Sequence, residues 1–264
     1  MGKFDRTVYE SHTIDLAELL SDKTSKRSKG FVKHIASNVK GNKTANLYAA
    51  IKEAKQDYKG VFKGMEAQVR RKIAGAMYDG AEEVSNSSGV KRSKQRLDVV
   101  DGLTKNVEFY SEAYFRRIAE PKIKSFIKNN KNSPTFKRDL EAMLTRTFKE
   151  SEQYWKSVAD TVQGRAYNFG VLKGAQMKGY SKYMLIAVVD NRTTPFCRSI
   201  DGTTFNIQKA IEGIEELSQL RGKDTLHGPW IMNSKEAANV KEMKSEGFLS
   251  PPFHANCRTR TTII

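Results

Sequence analysis

From Leu47 to Met77 the apolar residues recur at steps of three and four: Leu47, Ile51, Ala54, Tyr58, Phe62, Met65, Val69, Ile73 and Met77. That spacing is the period of one face of an α-helix. Thr44 is a suitable cap for its start and Gly80 for its end. At about 1.5 Å per residue the spacing predicts a single helix roughly 50 Å long. A stripe of Met, aromatic and aliphatic side chains of this kind is a core face or a partner seam, not a cofactor site.

The same period returns further along. A polar run at 85–96, "SNSSGVKRSKQR", reads as a break, after which Val107, Tyr110, Tyr114 and Ile118 share a face. Pro121 interrupts the pattern, and "PKIKSFIKNNKNSP" sets lysines between Ile123, Phe126 and Ile127. Ser133 and Pro134 open another helix as cap and first turn. Phe136, Leu140, Met143, Leu144, Phe148, Trp155, Val158 and Val162 carry it on, with glycines at 164, 170 and 174 interrupting it, to about Gly179. Residues 1–43, with "SDKTSKRSKG" among them, read as a flexible basic arm. No apolar run is long enough to cross a bilayer. The first twenty residues carry acidic side chains and no uninterrupted apolar stretch, so no secretory leader is expected there. Asp5 and Arg6 argue against myristoylation at Gly2.

After Tyr180 the character changes. "YMLIAVVD" is rich in β-branched residues and reads as a buried strand ending at Asp190. "TTFNI" is a second strand, "IQKAIEGIEELSQL" a short helix, residues 221–250 a loop, and "CRTRTTII" a closing strand. The expected fold class is therefore α+β: a mostly helical N-terminal part with long amphipathic helices, then a small α+β module. The expected divisions are a basic arm at 1–43, a helical region at 44–150 and the module at 151–264.

Charge follows the same division. Of the net +16, residues 1–180 hold 35 Lys+Arg against 21 Asp+Glu, or +14, and residues 181–264 hold 11 against 9, or +2. A cationic excess on helices suits a polyanion such as double-stranded DNA, although a solvated lysine-rich surface has the same composition. The candidate nucleic-acid contacts are Lys91, Arg92, Lys94 and Arg96 in the polar break, and Lys122, Lys124, Lys128 and Lys131 beyond Pro121.

Chemistry concentrates in the module. Cys197, His254 and Cys257 are the best soft ligands in the chain, and His254-Ala-Asn-Cys257 brings two of them within one turn. Zinc takes Cys and His donors in tetrahedral sites, with Asp190, His227, Asp201 or a water as fourth donor. Two other arrangements fit the same residues: a buried pair of small core cysteines beside a hydrogen-bonded His254, or a Cys197–Cys257 disulfide in an oxidising compartment. A Cys197 nucleophile with His254 as base is a further reading, but no oxyanion hole or substrate pocket is recognisable. The chain has no P-loop, dinucleotide fingerprint, HExxH or spaced carboxylate pair, so a structural or binding role is expected over an enzyme. Asp190 suits a turn closed by Thr193 and Thr194, Gly202 a tight turn after Asp201, and Pro251–Pro252 a stiff approach to His254.

"DNRTTPFCRSIDGTTF" followed by "SPPFHANCRTRTTII" resembles the phage head morphogenesis proteins, the phage Mu F-like minor head proteins. The matching positions are Asp190, Arg192, Thr193, Cys197, Asp201, Gly202, Pro251, Pro252, His254, Cys257 and Arg258. "GRAYNFG" at 164–170 is similar to the helix preceding that module, with Gly164-Arg165 where members often carry Thr-Glu. The resemblance covers about residues 155–264. It implies a minor capsid protein made in a bacterial cytoplasm and carried in the virion near the portal. It also implies contacts with portal protein, major capsid protein or packaged DNA, oligomeric order set by portal symmetry, and a role in head assembly or DNA delivery. The alternative from a different class is a toxin-like or nucleic-acid-processing enzyme module delivered with the virion.

Overall fold

The computed structural model describes residues 6–38, 48–49, 51–52, 62–130, 132–149, 151–220, 250–254 and 257–264. Its helices are α1 (Arg6–Asn38), α2 (Glu66–Glu82), α3 (Ser88–Arg92), α4 (Lys94–Tyr114), α5 (Glu120–Asn130), α6 (Phe136–Lys149) and α7 (Ser151–Met177), followed by α8 (Pro195–Ile200) and α9 (Ile207–Gln219). The strands are β1 (Lys182–Ile186), β2 (Thr204–Asn206) and β3 (Arg260–Ile263). The fold is mostly helical α+β, as the periodicity predicts.

Helix α7 is the spine. Trp155, Ala159, Val162, Ala166 and Phe169 form one buried stripe, and Tyr167, Val171 and Ala175 are buried on other sides of the helix. A helix apolar all round belongs inside, and α7 packs most extensively on α2 and then on α1. The glycines that looked like interruptions make this packing possible. A Cβ on Gly170 would collide with the Met77 carbonyl, and one on Gly80 would collide with the Tyr167 carbonyl. Gly80 is therefore a close-approach position inside α2 rather than its end. Gly164 leaves room for Pro252, whose Cδ would stand 2.9 Å from an added Cβ.

Other boundaries also differ from the sequence expectation. The supposed flexible arm is helical from Arg6 to Asn38, with Leu16 and Leu20 fully buried. The basic run lies within a helix that packs on α7 and α6. The helix expected through residue 77 is broken by a turn at Gly64 and Met65, after which α2 runs on to Glu82. Thr44, Leu47, Ala54 and Tyr58 lie outside the described residues. Pro121 does not stop its helix: Phe115–Ala119 form a π-helical turn and α5 continues straight on with Pro121 in its first turn. The wider turn and a first-turn position both spare a backbone donor that proline lacks. The expected division at residue 150 does not separate two cores. One cluster of buried side chains runs from Leu16 and Leu20 through α2, α4 and α7 to Phe253 and Cys257.

The sheet is antiparallel in the order β2-β1-β3. Tyr183 pairs with Phe205 and Ile263, and Leu185 with Thr261. Tyr183, Leu185 and Phe205 are buried while Lys182 and Ile186 are exposed, so β1 alternates. It is shorter and less buried than the apolar run suggested: Val188 and Val189, 39% and 55% exposed, lie beyond its end.

Candidate metal centre

Two segments far apart in sequence meet at the end of β1. The first is a turn and a short helix. The Asp190 carboxylate accepts the Arg192 amide at 2.8 Å, and Thr193 Oγ1 accepts the Asp190 amide at 2.8 Å. Arg198 reaches back to the Thr193 carbonyl at 3.2 Å. Thr194 then caps α8 by accepting the Cys197 amide at 3.2 Å, with Pro195 in the first turn. Asp201 accepts the Ala187 amide at 2.7 Å, and Gly202, at φ +70°, turns the chain into β2. The motif residues of this segment thus build a turn that holds Cys197 against the end of β1.

The second segment is fixed from below by α7. Asn168 Nδ2 donates to the Pro251 carbonyl at 3.0 Å, Pro252 sits over Gly164, and the Pro251–Pro252 peptide is cis. Phe253 is fully buried with its ring 5.2 Å from that of Phe196, edge to face. An aromatic pair of this kind fastens the two segments to each other. The Cys257 amide donates to the His254 carbonyl at 3.2 Å.

The result is a cluster of three soft donors. Cys197 Sγ lies 3.2 Å from His254 Nε2 and 4.0 Å from Cys257 Sγ. The three ligand atoms all fall within 4.8 Å of one another. A tetrahedral zinc with Zn–S of about 2.3 Å and Zn–N of about 2.0–2.1 Å sets neighbouring donors roughly 3.5–3.8 Å apart. The Cys197–His254 and Cys197–Cys257 separations depart from that by a few tenths of an ångström, and both cysteines are buried, free thiols. Hydrogen bonding from Cys257, opposed by burial and aided by His254, Thr194 and Thr259, holds the Cys197 thiol well below its ordinary value. The same contact with Cys197, and burial, push Cys257 up. A divalent cation bound here takes both sulfurs as thiolates and displaces their protons. Cys197 is only 3% exposed. A side chain so buried, with two further soft donors beside it, suits a ligand better than a nucleophile.

Asp190, offered by the sequence as a fourth ligand, is not part of the cluster. Arg258 Nη1 and Nη2 donate to its two oxygens at 2.7 and 2.5 Å. These bonds, first among the causes, hold the Asp190 carboxyl far below the usual carboxylate range. The forked pair ties the first segment to the second just beside the cysteines. Asp201 is committed to the Ala187 amide, and His227 lies outside the described residues. Two hydroxyl residues beside the cluster, Thr194 and Thr259, carried no sequence signal as site residues. Thr194 was foreseeable as a cap three residues before the Cys197 amide, whereas Thr259 was visible only as an inward position next to β3.

The basic residues fall into two groups. Lys91 and Arg92 end α3, and Lys94 and Arg96 open α4. Lys91 Nζ stands 5.2 Å from the Tyr78 ring centroid, and Arg96 Nη1 donates to Tyr78 Oη at 2.7 Å. Lys94, Lys91 and Arg92 are exposed. On α5, Lys122, Lys124 and Lys128 are exposed, with Lys124 paired to Glu120 at 2.6 Å. Lys124 and Lys128 stand one turn apart and Lys122 on the other flank. Lys131 lies outside the described residues. No described helix is long and apolar enough to cross a membrane. Comparison with family models, curated proteins and solved structures returns no match for this chain.

Proposed function

We propose that the protein is a minor capsid protein of a tailed bacteriophage, held near the portal inside the head, with its C-terminal segments locked by a Cys197–His254–Cys257 zinc centre. The observation that carries this reading is the meeting of the two resembling segments. The residues by which the chain resembles phage Mu F-like head proteins come from stretches some fifty residues apart. They converge on one cluster, where Cys197 Sγ is 3.2 Å from His254 Nε2 and Asp190 is forked by Arg258. In this reading zinc serves as a clamp. It joins the turn after β1 to the segment that enters β3, and so fixes the last strand on the helical body.

The helical body supplies the contact surface. With +14 of the net charge in residues 1–180, the exposed Lys91 beside Tyr78, the exposed Arg92 and Lys94 and the lysines of α5 face packaged DNA or an acidic wall of portal or capsid protein. Binding of this kind is sequence-independent and dominated by phosphate contacts. The test has two arms: retention of the purified protein on purified portal assemblies, and affinity for double-stranded DNA across a salt series. The reading expects retention on portal and a DNA affinity that falls steeply with salt. Replacing Lys91, Arg92 and Lys94 with Gln lowers the slope of log K against log salt by about 3. Absence of both portal retention and low-salt DNA binding contradicts it.

A further inference from the structure

Three protein donors leave a tetrahedral ion one position short. Among the described residues no carboxylate or second imidazole joins Cys197, His254 and Cys257, and Asp190 is committed to Arg258. A void of about 20 Å³ lies directly beside the cluster, bounded by Cys197, His254, Thr194, Arg258 and Thr259 among others. A single water needs roughly 10–15 Å³ of such space. Two hydroxyls line it. Thr194 Oγ1 is 3.4 Å from His254 Nε2. Thr259 is only 6% exposed, and its Oγ1 has no hydrogen-bond partner of proper geometry among the described residues. Thr259 lines the void together with Cys197 and His254. A buried hydroxyl without a partner is unfavourable, and a group placed in the adjacent void relieves it.

We propose that the metal centre is open: its fourth position takes an exchangeable monodentate ligand, water or a small anion, held by Thr259 Oγ1 in the void between Thr194 and Arg258. This inference rests on the metal reading above. The surroundings carry more cations than carboxylates, although Arg258 and Arg192 are both paired with Asp190. Val188, Arg192, Arg258 and Thr259 line both the void and a larger cavity of about 520 Å³. That cavity adds Lys156 and Arg260 to its lining, with Glu10 and Asp160 offsetting part of their charge. The ligand class is a single anionic donor atom, such as hydroxide or one oxygen of a carboxylate or phosphate. A centre built this way has the three-ligand form that metals use when they polarise a bound group, and is not sealed as a purely structural one is.

Full-length protein loaded with Co²⁺ tests this directly. The cobalt–thiolate charge-transfer bands report the two sulfurs, and the d–d bands report the fourth donor. Titration with azide is expected to shift the d–d bands saturably while the charge-transfer bands persist. Thr259→Val is expected to keep one Co²⁺ per chain and weaken azide binding about tenfold, the equivalent of one hydrogen bond. Thr259→Ser is expected to restore it. Co²⁺ uptake with d–d bands that azide does not move means a fourth protein donor, which overturns this inference and leaves the metal reading intact. Azide binding that is equal in wild type and Thr259→Val overturns the assigned position. No Co²⁺ uptake overturns the metal reading and the open position together. If Thr259→Val does not fold, the wild-type titration decides alone.

Discussion

Replacing Gly170 with Ala puts a methyl group where α7 meets α2. An ideal Cβ there collides with the Met77 carbonyl oxygen and lies 2.9 Å from its carbon and 3.0 Å from the Ala81 nitrogen. All three neighbours are backbone, and no rotamer change relieves the contact. The two helices must part by about an ångström, which forfeits a quarter to a half of each dispersion contact along the seam. Overpacking of this sort costs about 1–3 kcal/mol, and more where rigid backbone is the obstacle. Against it stands the gain of about 1 kcal/mol that Ala enjoys over Gly in a helix. The net expectation is a loss of about 2 kcal/mol, or about 4–8 °C in Tm. Gly30 is the control. It lies in α1, exposed, with nothing within 4 Å of an added Cβ. There the propensity term acts alone, and Gly30→Ala is expected to raise Tm by about 2–4 °C. Thermal melts of both variants by circular dichroism give the comparison. A Gly170→Ala protein as stable as wild type, or two shifts of the same sign, refutes the close-packing account.

Further expectations concern the site and the core. Asp190 has its folded-state pKa depressed by Arg258, so the pair stabilises the fold above the unfolded carboxyl value of about 3.9 and the effect fades as pH falls through the folded value. The stability gap between wild type and Asp190→Asn should therefore hold from neutral pH to about 5 and close in stronger acid; a gap that widens on acidification contradicts the pairing. Phe253→Ala removes a fully buried ring from its partner Phe196 and should cost about 3–5 kcal/mol in urea unfolding, and a variant within about 1 kcal/mol of wild type means that the segment is not seated there. Arg165 is buried, its Nε and Nη2 have no hydrogen-bond partner among the described residues, and desolvation lowers its pKa. Arg165→Met is expected to raise stability by at least about 1 kcal/mol, and a large loss would show that the guanidinium has a partner in solution.

What the sequence revealed, and what it concealed, divides along physical lines. Periodicity marked the helices because burying one face requires it, and β-branched residues placed β1. The glycines of α2 and α7 misled because a glycine that ends a helix and one that admits a neighbouring backbone look alike until the neighbour is known. The basic run after Leu20 suggested an arm because its lysines say nothing of the buried leucines that precede it in α1. Pro121 suggested a stop because the sequence does not announce the π-helical turn that accommodates it. In the site, Cys197, His254 and Cys257 were legible as soft ligands. Asp190 was misassigned because spacing cannot tell whether a carboxylate meets a metal or the Arg258 fork. Thr194 was read only as a turn residue and Thr259 passed unnoticed, because a hydroxyl becomes informative only when burial places it beside a cluster.

The metal content of the full-length protein, purified without chelator and measured alongside Cys197→Ser and Cys257→Ser, tests most directly whether the two C-terminal segments share one ion. The account predicts one zinc per chain in the wild type, with its loss in both variants and a lowered melting temperature. A wild-type protein that carries no metal, takes up none from added Zn²⁺ and melts unchanged in its presence contradicts it.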